Sequence, residues 1–128
     1  MHDEWKPAGY TSVSPYLITE NAEEVVSFLE AALGASLIRR FDRPDGSLMH
    51  AEIRIDDSVV MLGQAGEGWP AVPGHVHVYL PEVDTIYAAA LEAGGVSVQA
   101  PTRGDDPDRR GGVKDPGGNT WWISTKVG

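Results

Sequence analysis

Two short patterns in this chain set ligand-type side chains two residues apart: His50-x-Glu52, and His75-x-His77 extended by Tyr79. A spacing of two puts side chains on one face of a strand. Imidazoles and a carboxylate on a shared face have three chemical uses. They can hold a divalent metal of the Fe, Mn, Ni or Zn kind. They can form an acid/base pair in which the carboxylate orients an imidazole for proton transfer. Or they can line the wall of a polar pocket, bonded to one another. A strand H-x-H or H-x-E is a weak metal motif on its own, so the wall reading is preferred and the other two stay open.

The elements that must position these residues are bounded by composition. At 128 residues the chain is most simply one domain with room for a real core. A hydrophobic content of 41% beside 23% charged residues is that of an ordinary globular protein. The formal charge of −9 speaks against nucleic acid or an anionic membrane as partner, because phosphate binding needs a basic footprint. No apolar run is long enough to span a bilayer, and the first seven residues lack the basic and apolar regions of a signal peptide. The absence of cysteine excludes disulfides, zinc-thiolate sites and thiol catalysis, and fits a cytoplasmic protein.

Along the chain, residues 1–11 read as a polar arm carrying Trp5 and Tyr10. Residues 12–19 alternate as a strand, with Pro15 at an edge or bulge. A helix opens at Asn21, with Asn21 and Glu24 spaced as a capping box. Its apolar stripe is Ala22, Val25, Val26, Leu29, Ala32 and Leu33, and Gly34 stops it. Strands are expected at 36–41, 49–55 and 58–63, with reversals at Arg43-Pro44-Asp45-Gly46 and Asp56-Asp57. A loop, 64–73, carries Trp69. The same order then repeats. A strand at 74–80 is followed by a helix at about 84–93 capped by Asp84, a strand at 96–100, a long polar loop at 101–112 and a closing hairpin to 125. The expected class is α+β: one domain over 12–127 built of two βαβββ units, 12–63 and 74–127. Its curved mixed sheets surround a cavity and its helices lie on the outer faces.

At this point the chain resembles the glyoxalase / bleomycin-resistance / dioxygenase group, the vicinal oxygen chelate superfamily, and within it the PhnB-like branch. The resemblance spans about 10–127. It is carried by Tyr16-Leu17 before a helix ending Ala-Leu-Gly-Ala, by Met49-His50-Ala51-Glu52-Ile53-Arg54-Ile55, by Ser58-Val59-Val60-Met61-Leu62, and by Asp115-Pro116-Gly117-Gly118-Asn119-Thr120-Trp121. Metal enzymes of that group draw ligands from the first and last strand of each unit. By strand order those places fall near Ser14, Met61, His75 and Trp122. Only His75 has ligand chemistry, so the resemblance implies no metal at the usual place. A displaced set of His50, Glu52, His75 and His77 is the alternative, should both strands face one cavity.

Tyr16 and Tyr79 are candidates to bond a ligand, and Trp122 to stack on a planar one, with its neighbour Trp121 turned to the core. Trp69 is a candidate lid or interface anchor. Arg109, after Asp108 as in an element of the PhnB-like branch, is a candidate for an anionic group, while Arg103 and Arg110 are expected in surface pairs. The leading functional expectation is a metal-independent small-molecule binding protein of bleomycin-resistance type. Its aromatic and histidine-lined cavity would take an apolar or aromatic, partly cationic ligand, for example a drug or antibiotic, with no cofactor. The second reading is a glyoxalase-like lyase or isomerase, or a dioxygenase, using the displaced metal or the His50–Glu52 pair. The resemblance further implies a homodimer.

Overall fold

The computed structural model describes residues 5–128; the first four residues of the expected arm lie outside the described residues. Unit 1 consists of β1 (Tyr16–Thr19), α1 (Ala22–Leu33), β2 (Ser36–Asp42), β3 (Leu48–Ile55) and β4 (Ser58–Gln64). Unit 2 repeats that order: β5 (His75–Tyr79), α2 (Val83–Glu92), β6 (Val96–Arg103), β7 (Asp108–Lys114) and β8 (Thr120–Lys126). The strands form two separate four-stranded sheets, ordered β1-β4-β3-β2 and β5-β8-β7-β6. In each, the first strand runs parallel to the last and the other pairings are antiparallel. This is the expected pair of βαβββ units. The sheets do not join, so the expected enclosing cavity is instead two open faces, one per sheet, opposite the helices. No helix among the described residues is long and apolar enough to cross a membrane.

Alternation explains the layering. Ala51, Ile53 and Ile55 on β3, and Val60 and Leu62 on β4, are buried together with the α1 stripe. Val113, Trp121 and Ile123 of unit 2 enter the same cluster, so the two units share one core. Gly95 is the close approach between them, since a β-carbon there would collide with Val113 and with Phe28 of α1.

Both helix starts differ from expectation. Asn21 adopts φ 54 and makes no capping bond; its amide donates to the Pro116 carbonyl at 2.9 Å. The Ala22 amide is satisfied by Gln64 Oε1 at 2.9 Å. Asp84 does not cap α2 either. It sits in the first turn behind Glu82, and the Val83 amide donates to Thr125 Oγ1 at 3.0 Å. Both helices therefore take their caps from strands of their own unit, which a local pattern cannot show. The expected loop at 101–112 is also mostly strand. Pro101 falls where β6 shifts register against β7, so its missing N–H interrupts no regular ladder, and the connection shrinks to residues 104–107.

One turn ties the units together. Asp115 Oδ1 accepts from the Gly117 and Asn119 amides at 2.8 and 3.0 Å. Its Oδ2 accepts from Trp121 Nε1 at 2.8 Å and Asn119 Nδ2 at 3.1 Å. Asn119 in turn donates to Thr19 Oγ1 of β1 at 3.2 Å and accepts from the Gly74 amide at 3.2 Å. Gly117 must be glycine here, because a β-carbon would strike Thr19 Oγ1 and the Glu20 carbonyl.

Candidate functional site

The open face of unit 1 is assembled by register. Tyr16, Met61, Glu52 and Arg39 lie in one row across the sheet; Ile18, Gly63, His50 and Phe41 form the next. His50 and Glu52 do touch: Nε2 lies 2.9 Å from Glu52 Oε2. The Tyr16 hydroxyl is 3.2 Å from His50 Nδ1. Because a carboxylate only accepts, the His50 tautomer that fits carries its proton on Nε2 and accepts a hydrogen bond from the Tyr16 hydroxyl at Nδ1. Glu52 Oε1 accepts from Arg39 Nε at 2.9 Å and from the Tyr10 hydroxyl at 2.5 Å. Burial pushes the Glu52 carboxyl up, but the hydrogen bonds from Tyr10, His50 and Arg39 outweigh it and hold the group below its ordinary value. Gly63 seats the Tyr16 ring: a β-carbon there would lie 3.1 Å from the ring and 3.3 Å from its hydroxyl.

Trp69 stands on the rim of this face. Reciprocal backbone bonds between Gly66 and Trp69, both 2.9 Å, close a tight turn that presents the indole 54% exposed. With Tyr16, Phe41, Met49 and His50 it lines a pocket at one end of the face. Ser14 and Met61 line a second cavity toward the other end, beneath the N-terminal arm.

The open face of unit 2 carries the His75, His77 and Tyr79 row of β5. Trp122 Nε1 donates to His75 Nδ1 at 3.0 Å, and the two rings lie near parallel, 8° apart. Gly112 is the seat of the indole; a β-carbon there would meet its ring at 2.6 Å. His77 Nε2 lies 2.9 Å from Ser124 Oγ, which accepts from Arg110 Nε at 2.8 Å. Burial and the Arg110 charge lower the His77 pKa against the opposing pull of Asp108, which favours the neutral ring, whose Nε2 accepts a hydrogen bond from the Ser124 hydroxyl. Asp108 accepts from the Tyr79 hydroxyl at 2.6 Å and from Arg110 Nη2 at 3.2 Å. That bond raises the Tyr79 pKa. Trp121 is fully buried, as its opposite face requires.

The structure divides the candidate residues. Tyr16, Met61, His50 and Glu52 come together on unit 1. His75, His77, Tyr79 and Trp122 come together on unit 2. The displaced metal set is thereby split between two sheets within the chain. Of the four family places, Ser14, Met61 and Trp122 offer no suitable donor, and His75 gives its Nδ1 lone pair to Trp122. The donor set does not fit a catalytic divalent ion. Among the described residues no three His, Cys, Asp or Glu are grouped to hold one. Arg109 is off both open faces: its guanidinium makes two 2.9 Å bonds to Asp84 of α2. Arg110 shares the parity of Asp108 and lies on the open face of unit 2, where it pairs with Asp106 and Asp108 as expected. Sequence reasoning missed Ser124, which lies two residues beyond Trp122 and so on the same face. It also missed the glycine seats, Arg39 as a partner of Glu52, and Tyr10, which belongs to no element.

Comparison with known proteins agrees with this architecture. Residues 10–123 match the model of the Glyoxalase/Bleomycin resistance protein/Dioxygenase superfamily, and the chain belongs to that superfamily. Uncharacterised proteins of Mycobacterium bovis and of Mycobacterium tuberculosis are each 31% identical to it over 127 residues. The match covers 91% of this chain and 84% or 75% of theirs. Among solved structures it is similar to TioX from Micromonospora sp. ML1 (TM-score 0.78, 21% identity, 91% of this chain and 99% of that one). It is also similar to TnmS3, an antibiotic binding protein from Streptomyces sp. CB03234 (TM-score 0.69, 16% identity, 92% and 100%). At these identities the structures share the fold.

Proposed function

We propose that this protein binds a planar, apolar or aromatic and partly cationic small molecule on its open sheet faces, without a metal, as an antibiotic- or drug-binding protein of bleomycin-resistance type. The observation that carries the reading is the pair of glycine-seated rings, Tyr16 over Gly63 and Trp122 over Gly112. Each packs against its glycine beside hydrogen-bonding groups, and three of the four family ligand places hold side chains that do not bind hard or borderline cations. The acidic charge of −9 favours a cationic guest. A fold neighbour that is an antibiotic binding protein supports the class of ligand. The test is quenching of tryptophan fluorescence on titration with planar aromatic cations, in the presence of chelator.

The same reading takes the protein as a cytoplasmic homodimer of the PhnB-like branch. Two unjoined sheets with exposed apolar residues such as Leu37, Phe41, Val96 and Val98 support the dimer. Sedimentation equilibrium is expected to give twice the chain mass of 13.8 kDa; a monomer at micromolar concentration would contradict it. One observation favours a second reading, acid/base catalysis: the His50–Glu52 contact, with Tyr16 on the far imidazole nitrogen. Conversion of a ligand by the native chain but not by His50→Gln, read by mass spectrometry, would decide for it. Recovery of every ligand unchanged would remove it.

A further inference from the structure

The described part of the arm before β1 is tied to the sheet. Tyr10 N donates to the Pro7 carbonyl at 3.2 Å, closing a turn whose third residue, Gly9, has φ 80. That conformation suits glycine, and any β-carbon at Gly9 would crowd the Arg54 guanidinium at 3.0 Å. Arg54 Nη1 holds the Gly9 carbonyl at 2.5 Å. The turn delivers Tyr10 onto the open face of unit 1.

There Tyr10 makes the contacts of a bound aromatic alcohol. Its hydroxyl donates to Glu52 Oε1 at 2.5 Å and accepts from Arg39 Nη2 at 3.3 Å. Its ring faces the Arg39 guanidinium, 5.5 Å from the ring centre. Glu52 itself is only 6% exposed. His50 and Arg39 satisfy the carboxylate as parts of the sheet, and the remaining donor comes from the arm. The phenol itself lines a cavity of about 410 Å³ enclosed between the arm and the sheet, with Trp5 on the arm side and Arg39 and Met61 on the sheet side. A buried carboxylate thus has one acceptor position turned to the open face and an arginine plane beside it.

We infer that Tyr10 stands in for the aromatic hydroxyl of a ligand, so that the Glu52–Arg39 site takes phenolic aromatics and the arm is their built-in competitor. This rests on the small-molecule-binding reading and narrows its ligand class on unit 1 to phenols. A phenol entering the site replaces the Tyr10 hydroxyl one for one. Its apparent affinity in the native chain is reduced by the fraction of molecules in which Tyr10 is docked.

The test uses the full chain and 4-methylphenol as probe, with toluene as the control lacking the hydroxyl, followed by NMR titration. Tyr10→Ala is expected to bind 4-methylphenol about tenfold or more tighter than the native chain, as follows from removing a charge-assisted competitor bond. Tyr10→Phe, which keeps the ring and the packing, is expected to fall between the two and serves if the alanine variant fails to fold. Adding Glu52→Gln to Tyr10→Ala should reverse the gain, and toluene should show none. Equal affinity in the native, Tyr10→Ala and Tyr10→Phe chains would overturn the inference, as would an equal gain for toluene. If planar cations still bind the native chain in that case, the small-molecule reading stands. If neither cations nor phenols bind any of the chains, both fall.

Discussion

Asp115→Ala is expected to lower the unfolding free energy by about 3–5 kcal/mol, the largest loss from any single change outside the apolar core. The carboxylate is 5% exposed and accepts from two backbone amides, the Asn119 side chain and the Trp121 indole. Truncation removes the acceptor of all these donors; the Asn119 amide and the Trp121 indole are buried, and the Gly117 amide is part-buried. Each orphan costs about 1–3 kcal/mol, and the costs are not additive because the donors share one acceptor. Asn119 also bridges to Thr19 of β1 and to Gly74 ahead of β5, so the loss reaches both units. Asp115→Asn keeps one acceptor oxygen and should cost roughly half as much. Urea unfolding reads both variants. An alanine variant within about 1 kcal/mol of the native chain would mean that water or relaxation satisfies these donors.

Gly112→Val is expected to act on ligand binding more than its position suggests. Gly112 lies in register with Trp122, and a β-carbon would meet the indole at 2.6 Å. The ring must leave its seat, and with it goes the bond from Trp122 Nε1 to His75 Nδ1. Overpacking of this kind costs about 1–3 kcal/mol of stability. Loss of a stacking surface costs affinity for a planar ligand about tenfold or more, on the scale of roughly 1–3 kcal/mol per stacked ring. The near-ultraviolet circular dichroism of the indole should change with it, and Trp122→Ala should show the same affinity loss without the overpacking cost. Unchanged dichroism and affinity in Gly112→Val would show that the seat is not needed.

The readable parts of the fold were those set by period. Alternation separates Trp121 from Trp122 and puts His50 with Glu52, and His77 with Tyr79, on common faces. The α1 stripe is buried at every expected position, with Phe28 in addition. What escaped depends on partners distant in the chain. Asn21 and Glu24 have the spacing of a capping box, but Asn21 adopts φ 54, and Gln64 supplies the cap from 42 residues away. The 101–112 stretch looks like a loop because its strand residues, 101–103 of β6 and 108–112 of β7, are proline, polar, charged or glycine, so no apolar alternation marks them. Arg109 is a candidate for an anionic group by resemblance alone. Parity of β7 turns it toward α2 and Asp84, and turns Arg110 toward Ser124. Tyr10 lies in no periodic element, and nothing local connects it to Glu52, 42 residues on.

The central claim is that the open faces bind an aromatic guest by stacking and hydrogen bonding, with no metal in between. Its most direct test is a calorimetric titration of the tag-free protein with a planar aromatic cation, run once in excess chelator and once with added divalent metal, for the native chain and Trp122→Ala. Saturable binding of equal affinity under both conditions, weakened about tenfold or more by Trp122→Ala, is the predicted result. Binding that disappears in chelator and returns with metal, or that is indifferent to Trp122, would contradict the account.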